Sequence, residues 1–218
     1  MTSELFGWYH DPELPEKLIE ADENPRNRAL ASLMANTFVH VSEAIHIKPG
    51  DIDYKKEALS IINLRGHIRI RCPCGEKLTQ KYLFCPTCGN KVVQALRENT
   101  EQRFLRIVPV HRDTLNLVQE YLEWRRRYPY RGELLFPFTR QRAWQIVEKL
   151  GRRIGLKGLH PESLRQLLAA KWINKGLDVK MLRFLMGYAS MAAQPSNFSF
   201  EQIKAEYQKL WETGQDEP

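Results

Sequence analysis

The chain has 218 residues, 43% of them hydrophobic, and a formal net charge of +7. That length suits one substantial domain with a small appendage, and the apolar content excludes a disordered chain. No apolar run approaches the roughly 18 residues of a membrane span, and the acidic start MTSELFGWYHDPELPEKL lacks the basic-then-apolar order of a signal peptide, so the expectation is a soluble, cytoplasmic protein with no membrane partner.

In chain order, residues 13–22 and 25–36 predict two helices, with Asn24 as a cap and Pro25 at a first helical position. Residues 41–47 predict a short helix that ends before Lys48-Pro49-Gly50. The β-rich stretches ALSIINLRG (58–66) and QRFLRIVPVH (102–111) read as paired strands with a module inserted into their connection. Asp113 or Thr114 opens a helix with Leu115, Val118, Tyr121 and Leu122 on one face, ending in Arg125, Arg126 and Arg127. Thr139 caps a helix with Ala143, Val147, Leu150 and Ile154 inward, closed by Gly155. Pro161 starts another, with Leu164, Leu167, Leu168 and Trp172 inward, closed by Gly176. Asp178 caps a segment ending at Gly187, and a last helix covers about 200–212. Trp124, Trp144 and Trp172 read as core; Trp8 and Tyr9 have no assigned role. This order of pieces is α+β, mostly helical, with a small antiparallel sheet.

The charge is localised. Between Arg65 and Arg106 nine Lys or Arg stand against three acids, whereas the remainder holds 24 against 23. A confined basic segment points to a polyanion, most often nucleic acid; a solvated basic face is the alternative.

All four cysteines lie in the same region, in CPCGEKLTQKYLFCPTCG, residues 72–89. In a reducing compartment such clustering argues for metal rather than disulfides. The two Cys-Pro…Cys-Gly knuckles read as a zinc ribbon, residues 67–94, between the parts of a main domain, residues 1–66 and 95–218. Glycine after each second cysteine lets the backbone turn toward the thiolates. Cys85 and Cys88 have the usual gap of two; Cys72 and Cys74 have a gap of one, which leaves His67 as a substitute ligand. Four thiolates leave no open coordination position, so the expected Zn2+ is structural, not catalytic. A disulfide pair or free thiols are the alternative.

Three stretches together carry a family resemblance: RNRALASLMANTFVHVSEAIHIKPGDID (26–53), RFLRIVPVH (103–111) and HPESLRQLLAAKWINKGLDVKMLRFLMGYAS (160–190). Their order resembles the catalytic domain of tyrosine recombinases, the phage integrase family, from about residue 13 to 212. The resemblance implies that fold, with the ribbon inserted in its strand loop. It also implies a site in which two arginines, a lysine and two further donors surround a scissile phosphate that a tyrosine attacks. Catalysis of that kind rests on cationic donors holding developing negative charge.

Laid on this chain, the first arginine falls on His40 and the second on Arg165. The histidine of the H-x-L-R box falls on Glu162, with His160 two residues away, and the histidine after the second arginine falls on Gln166. The next histidine falls on Tyr188, and the nucleophile falls on or near Phe198. The lysine belongs to the loop that the ribbon fills, where Lys77, Lys81 and Lys91 are available and His67 aligns nearest. Only Arg165 is kept. Phenylalanine has no oxygen to attack with, Glu162 brings a negative charge to the phosphate position, and an unperturbed histidine at position 40 is mostly neutral at pH 7.

The resemblance therefore implies a DNA-binding protein that has lost strand cleavage. Its expected DNA contacts are Arg165, His40, Lys77, Lys81, Lys91, Arg125 and Arg126. Its expected partners are backbone phosphates, and beyond them an active recombinase or a second copy met through the helix at 200–212. Each assignment has a plainer alternative: a structural ion pair for Arg165, a satisfied core histidine for His40, a solvated ribbon surface for the lysines, helix-end cations for Arg125–Arg127. Tyr207 reads as a core or surface helix aromatic. Two rival functions remain, an active atypical recombinase using Tyr188 and a ribbon adaptor that binds protein.

Overall fold

The structure is a computed structural model that describes residues 11, 13–63, 69–78, 82–92, 97–98, 104–128, 130, 132–188 and 198–212. The chain divides into two compact units, Met1–Ile61 with Arg106–Pro218, and Ile62–Leu105. Trp8, Tyr9, His67 and Lys81 lie outside the described residues.

The larger unit begins with α1 (Leu14–Glu20) and α2 (Pro25–Asn36), and the Asn24 side chain caps α2 by accepting from the Arg26 amide at 3.0 Å. Helix α2 is central: Ala29, Leu30, Leu33 and Met34 are all essentially inaccessible. Its buried polar side chains are satisfied across the core, Ser32 Oγ and Asn36 Nδ2 both meeting Thr114 Oγ1, at 2.9 and 3.2 Å. A short α3 (Val41–Ala44) ends three residues earlier than the sequence suggests, and a 3-10 turn (Pro49–Asp51) follows. Strands β1 (Ile52–Asp53) and β2 (Ala58–Asn63) pair antiparallel with Ile52 opposite Leu59.

The connection after β2 holds β3 (Arg69–Arg71), β4 (Lys77–Leu78) and β5 (Arg97–Glu98). Then β6 (Phe104–Pro109) returns beside β2, giving a three-stranded sheet in the order β1-β2-β6. The two β-rich stretches are thus neighbours in one sheet, with the cysteine-bearing segment between them.

Helices α4 (Arg112–Arg125), α5 (Arg140–Arg153), α6 (Pro161–Asn174), α7 (Val179–Leu185) and α8 (Phe200–Glu212) complete the unit. Thr139 caps α5 and Asp178 caps α7, as their positions before apolar runs predict. Trp172 is buried and Trp124 packs half-buried on the core, but Trp144 is 43% exposed. On α5 the inward stripe is Ala143, Ile146, Val147 and Leu150. Residue 144 is turned about 100° from Ala143 and lands on the outer flank. Helix α8 lies on its own chain's core: Tyr207 is buried, stacks on Trp172 at 4.9 Å and donates its hydroxyl to the Asn36 carbonyl at 2.9 Å. Burial pushes the Tyr207 phenol well above its ordinary pKa.

In the smaller unit β3 is flanked by β4 and β5, both antiparallel to it, with Ile70 opposite Leu78 and Arg97. Among the described residues its core gathers Cys72, Leu78 and Cys85, with Val92 packed against them. Among the described residues no helix is long and apolar enough to cross a membrane.

Candidate functional site

Arg165 projects from α6 and is 1% exposed. Its guanidinium is enclosed by protein acceptors. Nε donates to the Phe38 carbonyl at 3.0 Å, Nη2 to the Met186 carbonyl, and Nη1 to both Glu162 Oε1 and the Tyr188 hydroxyl at 3.3 Å. The Tyr188 ring lies over the guanidinium carbon at 5.0 Å. Phe38 presents its carbonyl from a left-handed backbone, φ 56°, a conformation that non-glycine residues hold only when their surroundings impose it.

Glu162 sits one turn before Arg165, where i and i+3 side chains meet. Its carboxylate is shared: Oε1 accepts from Arg165 and from the Tyr188 hydroxyl at 3.4 Å, while Oε2 lies 3.7 Å from His40 Nε2. His40, Glu162, Arg165 and Tyr188 therefore form one cluster, drawn from three places in the chain: the cap of α3, the first turns of α6 and the residue after Gly187. Gln166 is half-buried on the same helix, and Phe198 is partly buried against the core.

Both nearby histidines have local roles. His40 Nδ1 accepts from the Ser42 amide at 3.1 Å, capping α3, while Glu43 Oε2 accepts from the His40 amide at 2.8 Å. His160 Nδ1 accepts from the Ser163 amide at 3.1 Å, and Ser163 Oγ accepts from the His160 amide at 2.9 Å, which closes a capping box at the start of α6.

Behind this cluster lies a pair that sequence reasoning missed. Arg106, on β6, meets Glu43 through two parallel bonds, Nη1 to Oε1 at 2.8 Å and Nη2 to Oε2 at 2.7 Å, with the side chains 4% and 7% exposed. Arg106 Nε also donates to the Leu185 carbonyl at 3.1 Å. Burial pushes the Glu43 carboxyl upward, but the hydrogen bonds and charge of Arg106, the His40 amide and the charge of Arg165 outweigh it and hold Glu43 below its ordinary pKa. Strand β6 inverts the usual pattern: Leu105 and Ile107 face outward and Arg106 and Val108 inward. The available signal was an arginine in phase with Val108.

The remaining cationic candidates are spread out. Arg125 Nη1 donates to the Leu134 and Leu135 carbonyls at 2.7 and 2.9 Å, tying down the segment before α5. Arg126 and Lys91 are exposed, and Lys77 lies in β4. Helix α5 adds an exposed face that sequence reading did not single out, with Arg140, Arg142, Trp144 and Lys149.

The sulfurs of the four cysteines lie close enough together to share one metal ion. Their sulfurs all lie within 4.8 Å of one another, with Cys72–Cys88 at 3.3 Å and Cys74–Cys85 at 3.6 Å. Zinc–sulfur bonds of about 2.3 Å in a tetrahedron place sulfurs about 3.8 Å apart. The short first knuckle closes one residue tighter than the second. The Gly75 amide reaches the Cys72 carbonyl, three residues back, at 2.8 Å; the Gly89 amide reaches the Cys85 carbonyl, four back, at 2.9 Å. Both glycines hold positive φ, 93° and 73°. Burial raises the Cys85 thiol, but the amides of Cys88 and Thr87 and the neighbouring thiols of Cys72 and Cys74 bring it down to about 7. The four cysteines alone thus offer four ligand atoms.

Residues 11–194 match the model of the phage integrase family. The chain is 25% identical over 170 residues to the tyrosine recombinase XerC of Roseiflexus castenholzii, covering 78% of this chain and 46% of that protein. Its fold is similar to that of the XerA recombinase, with a TM-score of 0.59 and 20% identity over 91% of this chain and 63% of the other. It is also similar to the XerH site-specific recombinase bound to difH substrate in a pre-cleavage complex, with a TM-score of 0.55 and 20% identity over 92% of this chain and 53% of the other. The chain spans about half the length of the curated relatives it matches.

Proposed function

Because the chain belongs to the phage integrase family, we propose that it binds DNA through backbone phosphates and does not cleave it. The observation that carries this reading is the Glu162 carboxylate lodged among Arg165, His40 and Tyr188, where the family resemblance places the scissile phosphate. A carboxylate there supplies internally the negative charge that the donors would otherwise take from DNA, and it repels a phosphate approaching the same donors. Phe198 stands where the resemblance puts the nucleophile, and no hydroxyl exists on that side chain. DNA contact falls to other cationic surfaces, Arg126 and the exposed face of α5, and to the basic segment around the cysteines. A structural zinc held by Cys72, Cys74, Cys85 and Cys88 keeps that segment folded, since a unit as short as Ile62–Leu105 buries little apolar surface of its own. The XerH structure bound to difH supports DNA as the partner class. The test is DNA affinity across a salt series: phosphate-dominated binding loses affinity steeply as salt rises, and a shallow response would move the search to protein partners of the ribbon.

A second reading rests on Tyr188, whose hydroxyl contacts both a cation, Arg165, and a carboxylate, Glu162. In that reading Tyr188 is the nucleophile. It requires a DNA adduct that survives denaturation and is lost in Tyr188→Phe.

A further inference from the structure

Just before the second knuckle, Tyr82, Leu83 and Phe84 place three large apolar side chains in a row at the surface, 43%, 75% and 57% exposed. The small core of Cys72, Leu78, Cys85 and Val92 takes in none of them. Their backbone is fixed by pairing: the Val92 amide donates to the Leu83 carbonyl at 2.8 Å, the Cys85 amide donates to the Asn90 carbonyl at 2.8 Å, and Phe84 forms an antiparallel bridge with Lys91. Bridged residues stand side by side on one face of a ladder, so the exposed Phe84 ring neighbours the exposed Lys91. Between Ile62 and Leu105 the sequence carries eight Lys or Arg against three acids. A partner that meets Phe84 and Lys91 together is anionic and offers flat apolar faces. Paired bases in a duplex already have their faces covered by stacking, whereas unpaired bases present both.

We propose that Tyr82 and Phe84 form a stacking platform for unpaired bases of single-stranded DNA, with Lys91 beside it for the adjoining phosphate. This rests on the DNA reading above and deepens it, because contacts to duplex phosphates have no need of exposed aromatic rings.

The test uses the full-length, zinc-loaded protein and three probes: a duplex, the same duplex with an unpaired tail, and the tail alone, with 2-aminopurine in the tail to report stacking. The unpaired tail tightens binding and 2-aminopurine fluorescence is quenched. Tyr82→Ala with Phe84→Ala keeps its metal content and its duplex Kd but loses at least about tenfold in tail affinity, and Phe84→Trp retains it. A tail that adds nothing, or tail affinity unchanged in the double variant, overturns the proposal while leaving duplex binding intact. So does a double variant that loses only self-association or protein binding. A protein that binds the tail alone but no duplex keeps this proposal and loses the duplex reading; one that binds neither loses both.

Discussion

The Glu162 carboxylate lies 3.3 Å from Arg165 Nη1 and 3.7 Å from His40 Nε2, bridging two residues at positions where the family's resemblance expects two arginines on a phosphate. This internal anion sets the first prediction. Glu162→Gln keeps a hydrogen-bond acceptor for Arg165 but removes the charge. DNA affinity at low salt should rise by up to about fivefold, the scale of one partly exposed charge pair, and thermal stability should fall slightly. Unchanged or weaker DNA binding in a folded Glu162→Gln protein would show that the cluster does not face the DNA.

The buried Arg106–Glu43 pair is structural in effect. Removing one partner leaves the other charged and unpaired, at a cost of about 3–5 kcal/mol. Glu43→Ala should therefore lower the urea midpoint strongly, and the paired replacement Glu43→Leu with Arg106→Met should recover much of the loss. The pH dependence has a fixed sign. A carboxyl held below its ordinary value of about 4.3 contributes stability that is full above that value and is lost as the pH falls toward its depressed folded-state pKa. Urea midpoints measured from pH 6 downward should thus drop more steeply for the native protein than for Glu43→Gln.

Gly187 turns the chain at φ +69°, and a Cβ there would stand 2.8 Å from Arg106 Nη1. Gly187→Ala combines backbone strain with displacement of a buried ion pair, and should cost roughly 1–3 kcal/mol. Differential scanning calorimetry would show this as a lower Tm, and a Tm equal to that of the native protein would contradict the packing described around Leu185 and Gly187.

Much of this was legible in the sequence because it depends on local chemistry. Asn24, Thr139 and Asp178 cap helices because short polar side chains there can reach orphan amides. The nearness of the four cysteines in the sequence anticipates the cluster that their sulfurs form. What depends on distant partners was not legible. Glu43 and Arg106 are 63 residues apart, and an arginine inside a strand reads as outward until the opposing carboxylate is seen. Trp144 reads as core because it is large and apolar, yet its angle on α5 places it outside. Arg165 aligned as a phosphate donor, and only the folded chain reveals the four protein acceptors around it.

Metal removal gives a further prediction. One zinc should bind per chain, and chelation or Cys85→Ser should raise amide exchange across residues 69–92 while α2 and α6 keep their protection. A unit as short as Ile62–Leu105 gains much of its stability from a bound metal. Absence of zinc from protein purified without chelator, with the same segment still protected, would contradict the metal assignment.

Whether the protein binds DNA without cleaving it is tested most directly by a denaturing gel of the protein after incubation with a labelled, random-sequence DNA pool, alongside native binding in the same samples over a salt series. Native complexes should weaken with a log–log salt slope steeper than about −4, as contact with about five phosphates gives, and no band should survive denaturation. A denaturation-resistant protein–DNA band, absent in Tyr188→Phe, would contradict this reading and make Tyr188 a working nucleophile.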